Sequence, residues 1–154
     1  MNRELLRHCL ATVAYRGNKA LRDAPPGFSS VRPAPDSRSA GEILAHMGDL
    51  LEWGASIARG AQTWQNSTPQ DWSADVARFF QGLAAFDEAL ASDTSAGSDE
   101  QLLQGPIADL LTHIGQIGML RRLAGSPVRA ENYAAAAITT GRVGADQPAP
   151  RYEF

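Results

Sequence analysis

The chain has three histidines, His8, His46 and His113. Two of them stand where helical periodicity asks for apolar residues. At ~100° per residue, His46 falls on one strip with Leu50, Trp53 and Ile57. His113 shares a strip with Asp109, Gln116 and Leu120, between Leu110 and Ile117. Asp109 and His113 are four residues apart, a spacing that stacks two side chains ~5–6 Å apart on one helix face. The same spacing lets one helix offer two ligands to one metal ion. His46, from a second helix, would complete a face of three. Two imidazoles and a carboxylate leave positions open for water or substrate, as catalytic zinc and non-heme iron sites do. A cation would also remove the cost of a carboxylate held among apolar residues.

Plainer chemistry fits the same residues. A histidine on an apolar face can be a hydrogen-bonded core side chain, and Asp109 with His113 can be an ordinary salt bridge. A carboxylate in the first turn of a helix is favoured by the macrodipole alone. Around the trio, Gln116 is placed to orient a bound water or substrate, and Trp53 is a candidate pocket wall. Glu42, four residues before His46, is a candidate base, although helix capping already accounts for it. Tyr133, past the last long helix, is a candidate closure over the site. No catalytic acid or base is identified. Cys9 is the one cysteine. It sits next to His8, but adjacent helical residues point ~100° apart, which argues against a Cys–His nucleophile. Cys9 reads as a small core residue. Arg121 and Arg122 suit a helix C-terminus better than an anionic ligand. A ferritin-like di-iron site needs Glu-x-x-His on two helices, and no glutamate lies three before a histidine.

Four amphipathic segments must position these residues. The first runs from about Arg3 to Ala24, with Leu6, Leu10, Val13 and Leu21 on one stripe, and ends at Pro25-Pro26-Gly27. The connection from Pro25 to Arg38 is expected to be structureless, and is long for a loop. The second helix opens on a capping box, Ser39 with Glu42, and stops at Gly60. The third begins between Pro69 and Ser73, with Thr68 as cap, and carries Val76, Phe79, Phe80, Leu83, Phe86 and Leu90. The fourth opens near Gly105-Pro106, with proline at the first helical position, and runs to Ala124 before Gly125. Glu131 to Thr140 is expected to form a short helix. The expected fold is all-α, a four-helix bundle over residues 1–140 with an irregular tail over 141–154.

Composition supports this and narrows function. The 154 residues include 26 alanines, the best helix former. A net charge of −3 supplies no positive field for nucleic acid. The longest apolar run, Tyr133 to Ile138, is far short of a membrane span. One cysteine allows no internal disulfide. Glu4, Arg7 and His8 interrupt any N-terminal apolar region, so a cytoplasmic location is expected.

Two stretches resemble the DinB-like (DinB/YfiT) superfamily. Glu42-Ile-Leu-Ala-His46-Met-Gly-Asp-Leu-Leu-Glu-Trp53 is similar to the family's second helix, where one histidine binds metal. Gly105-Pro-Ile-Ala-Asp109-Leu-Leu-Thr-His113-Ile-Gly-Gln116, continuing through Arg121-Arg-Leu-Ala-Gly125-Ser-Pro127, is similar to its third-and-fourth-helix signature, with His-x-Gly-Gln and a closing Arg-x-x-Gly. The family usually carries His-x-x-x-His there. His113 matches the second histidine, and Asp109 takes the first position. The resemblance implies a DinB-like four-helix bundle, with a metal-ligand role for His46 and His113 directly and for Asp109 by position. It also implies a metal-dependent transferase or hydrolase acting on a small molecule, with a low-molecular-weight thiol as co-substrate. The harder oxygen ligand disfavours copper and leaves a divalent ion, zinc or nickel before iron or manganese. The other reading is a non-catalytic bundle that binds a small molecule or dimerises, its metal site empty. A homodimer is the expected assembly, with neither nucleic acid nor membrane as partner.

Overall fold

The computed structural model describes residues 3–154. Three long helices come first: α1 (Glu4–Leu21), α2 (Ala40–Ala58) and α3 (Trp72–Ala91). A fourth rod is built in three pieces. A single turn, α4 (Asp99–Leu102), leads through a π-helical turn (Leu103–Ile107) into α5 (Ala108–Leu123). Short 3₁₀ turns lie at Phe28–Ser30 and Tyr133–Ala135. Among the described residues there is no strand, only one isolated antiparallel bridge between Glu131 and Glu153. No helix is long and apolar enough to cross a membrane, among those residues.

The rods share one hydrophobic core. Leu10 and Val13 of α1, Leu44, Met47 and Leu51 of α2, Phe79, Leu83 and Phe86 of α3, and Leu110 and Ile117 of α5 are fully buried in it. Side-chain stripes at three- and four-residue spacing make this possible, because each helix has one apolar face to hide. α2 packs most extensively on α3, and also on α5, while α1 packs on α3 and α5. The order around the bundle is therefore α1, α3, α2, α5, with α1 diagonal to α2. That order makes α2 and the last rod neighbours, which the site requires. The α2–α3 approach is close: a methyl group on Gly54 would lie 2.6 Å from Cζ of the buried Phe86.

Several local expectations change. The capping box forms as expected: the Ser39 hydroxyl accepts from the Glu42 amide, and Glu42 accepts from the Ser39 amide at 2.9 Å. The last rod, however, starts at Asp99, capped by Ser98, whose hydroxyl accepts from the Gln101 amide. Pro106 lies inside the rod, in the π-helical turn. A wider turn is how a helix absorbs a residue that has no N–H and a bulky ring. α3 starts at Trp72, and Thr68 does not cap it. Instead Asp75 reaches back and accepts from the Gln70 amide at 2.9 Å. Residues 25–38 are not structureless, since a 3₁₀ turn drives Phe28 into the core against Trp72, ring centroids 5.4 Å apart. The helix expected over 131–140 shrinks to the turn Tyr133–Ala135.

The C-terminal residues fold back over α1. Phe154 donates its amide to Ala130 O, and Asn132 donates to Tyr152 O. This brings Glu131 and Glu153 to Lys19, at 3.4 and 3.3 Å. Tyr15 donates its hydroxyl to Glu131 at 2.5 Å, and burial together with that carboxylate pushes the phenol far above its ordinary range.

Candidate metal centre

His46 projects from α2 toward α5, and Asp109 and His113 project from α5 toward α2. The imidazole rings stand edge to face, centroids 4.8 Å apart. His113 Nε2 is 3.4 Å from Asp109 Oδ1, and His46 Nε2 is 3.8 Å from Asp109 Oδ2. One ligand atom from each residue lies within 4.8 Å of the others, so the group could hold a metal ion. Zinc–ligand bonds of ~2.0–2.2 Å put tetrahedral donors roughly 3.3–3.6 Å apart. The two imidazole–carboxylate distances, 3.4 and 3.8 Å, are at or near that separation, and the widest pair of the three lies within 4.8 Å.

The surroundings prepare these atoms as ligands. His113 is buried, and its Nδ1 is 2.7 Å from Gln116 Oε1. A carbonyl oxygen only accepts, so Nδ1 carries the proton and, in a neutral ring, Nε2 presents a lone pair to Asp109. A cation or a proton between these two acceptors would satisfy both. Gln116 thus fixes the ring orientation as outer partners of metal-bound histidines do. At His46, burial foremost, then the Arg38 and His113 charges, push the imidazole below its ordinary value. A neutral His46 has its lone pair free. Asp109 remains 45% exposed, so the cluster opens to solvent on that side.

The early start of the last rod bears on the plainer reading of Asp109. The helix does not begin there; α4 and the π-helical turn precede it. A free helix N-terminus is therefore not what holds this carboxylate. π-helical turns inside α-helices are frequent at functional sites, and this one ends two residues before Asp109.

The other expected site residues are distributed unevenly. Gln116 joins the cluster. Trp53 stands one step away, its ring resting against the backbone of Gly105 in the π-helical turn. Glu42 is not brought to the trio: its carboxylate is occupied by the Ser39 amide and by Arg32 at 3.3 Å. Tyr133 does not close over the site. It packs on α1, edge-on to Tyr15 at 6.2 Å and under the Arg16 guanidinium at 3.9 Å. His8 is exposed on α1, within 3.4 Å of the Thr140 hydroxyl, and takes no part.

Trp64 was not anticipated. Its ring lies edge-on between His46 and Trp53, 5.8 Å from each centroid. The one signal is a large aromatic isolated in the polar run Gln62 to Gln70, where nothing apolar explains it. The segment is pinned by the buried Asp49, which accepts from the Ser67 amide (2.9 Å), the Ser67 hydroxyl (2.6 Å) and Arg78 (2.7 Å). Burial raises the Asp49 carboxyl, but the Ser67 and Arg78 hydrogen bonds outweigh it and hold the group below its ordinary value. A depressed carboxylate stabilises the fold above its unfolded pKa, ~3.9, and that contribution disappears as pH falls toward the folded value. Urea denaturation below about pH 4 should therefore show wild type losing stability faster than Asp49→Asn. At pH 7 the variant should be weaker by about 1–3 kcal/mol, because Arg78 loses its buried counter-charge. Parallel stability–pH curves for the two proteins would refute the assignment.

Compared with protein-family models, curated proteins and solved structures, the chain matches none.

Proposed function

We propose that the protein is a metal-dependent enzyme of the DinB-like type, built on that family's bundle. His46, Asp109 and His113 hold a divalent ion, zinc or nickel before iron or manganese. The carrying observation is two imidazole Nε2 atoms, from two helices, converging on one carboxylate that has no other salt-bridge partner among the described residues. When bound, such an ion lowers the pKa of a coordinated water or thiol and supplies a nucleophile at neutral pH. The chain's own residues do the rest. Gln116 holds the His113 ring in one tautomer, His46 stays unprotonated, and Trp64 covers one side of His46 while the Asp109 side admits the substrate. A transferase or hydrolase acting on a small molecule, with a low-molecular-weight thiol as the nucleophile, is the chemistry this arrangement suits.

The scarcity of acid–base groups around the trio favours one second reading, a binding module without catalysis. The test separates the two. An ion that binds only the folded chain at a hundredfold excess over its dissociation constant adds ~2.7 kcal/mol. For a domain of this size that raises the melting midpoint by about 5–10 °C. Zinc or nickel should produce this rise and a chelator should reverse it. Less than about a tenth of an equivalent of metal by elemental analysis, with no chelator-sensitive shift, would sink the metal reading.

A further inference from the structure

An open cavity of about 450 Å³ lies between α5 and the residues that lead into α2. His113 and Gln116 form part of its wall, so it adjoins the metal centre. Most of the remaining wall is apolar, with Met119, Leu120 and Leu123 along α5. Its volume is within the ~300–1,000 Å³ of small-molecule sites. Met119 and Leu123 are 53% and 63% exposed. Large apolar side chains left open around a concavity mark a surface awaiting an apolar ligand.

One charge lines this cavity, Arg38. It is exposed, and it has no ion pair or hydrogen bond among the described residues. The neighbouring acid, Glu42, is already engaged by Arg32 and the Ser39 amide. Arg38 shares the cavity wall with His113 and Gln116. A planar guanidinium with free donors, beside an apolar wall, is complementary to an oxyanion carried on an apolar body.

We propose that this cavity binds a small amphiphilic monoanion, a carboxylate on an alkyl or aryl body, which pairs with Arg38 and lies along Met119, Leu120 and Leu123 beside His113. Its role as substrate rests on the metal-site reading; its binding does not. The chain therefore selects anions over neutral molecules of the same shape.

Isothermal titration of the full chain with octanoate, 1-octanol and octylammonium tests this, with and without zinc. Octanoate should saturate a single site and bind at least about fivefold tighter than octanol, the margin a charge-assisted contact supplies. Arg38→Gln should erase that preference, and Arg38→Glu should transfer it to octylammonium. Arg38 is exposed, so both variants should melt like wild type. Octanoate binding without zinc uptake would sink the metal reading and leave the cavity assignment standing. Zinc uptake with no saturable octanoate binding, equal binding of octanoate and octanol, or an unchanged preference in Arg38→Gln would overturn the cavity assignment alone.

Discussion

Replacing His113 by alanine should weaken cobalt or zinc binding by at least about 100-fold. The estimate has a lower bound in the behaviour of outer partners: removing a group that merely orients a ligand costs ~10–100-fold. Gln116→Ala should therefore fall in that range, because it frees the ring that the 2.7 Å contact now fixes. Deleting the imidazole removes a donor outright and leaves His46 and Asp109 as a two-point site. His46→Ala should match His113→Ala. Asp109→Asn keeps the shape but loses the charge that offsets the cation, and should fall between. His8→Ala is the control, since that ring is exposed near Thr140. Cobalt makes the experiment sharp, because a histidine–carboxylate site gives visible absorption that loose surface binding does not. Equal cobalt affinity and unchanged spectra in wild type and both histidine variants would show that the trio is only a buried polar pair with a neighbour.

The faces of the helices were legible in the sequence, and so was the trio. Two histidines on apolar strips and a carboxylate four residues away were readable from helical periodicity alone, while their meeting at one level of the bundle was an expectation drawn from the resemblance of the two stretches to a family. What periodicity does not carry is which helices are neighbours. The order α1, α3, α2, α5 depends on long connections, and the 22–39 segment crosses the diagonal with Phe28 buried on the way. The start of the last rod was hidden because Pro106 looks like a first-turn residue. Its ring is accommodated by a local widening that no residue pattern announces, and that difference moved Asp109 away from a helix terminus. Trp64 and Tyr133 fail in opposite directions for one reason. Both sit outside the regular helices, so hydrogen bonds distant in sequence set their positions. Asp49 holds the segment that brings Trp64 in. The pairing of residues 130–132 with 152–154 carries Tyr133 away over α1.

The other large expected effect lies at the far end of α5, in Arg121. This guanidinium is 4% exposed and forms no salt bridge among the described residues. It donates to Ala20 O at 2.9 Å, Arg22 O at 2.8 Å, Asp23 O at 3.3 Å and Ser126 O at 2.9 Å, and to the Ser126 hydroxyl. The acceptors belong to the ends of α1 and α5, where unpaired carbonyls and the helix dipoles concentrate negative potential. Arg121 thus closes two helices at once. It also secures Asp23, which holds a left-handed φ of 55°, a conformation that costs a non-glycine residue ~1–2 kcal/mol. Arg121→Met keeps the length but removes every donor. Each buried acceptor left unpaired costs ~1–3 kcal/mol, and the gain from no longer burying a charge offsets part of the sum. The balance should be a loss of about 3 kcal/mol, a large share of the ~5–15 kcal/mol that holds a domain together. Arg121→Lys keeps the charge but has three donors in place of a fork of five, so it should recover less than half of the loss. Urea denaturation of the three proteins gives the ranking, and a methionine variant within about 0.5 kcal/mol of wild type would refute the capping role. The folded fraction of Arg121→Met should still bind cobalt with wild-type affinity, because Arg121 lies two turns beyond His113 along α5. The two substitutions therefore separate cleanly: His113→Ala empties the site of an intact bundle, and Arg121→Met loosens the bundle around an intact site.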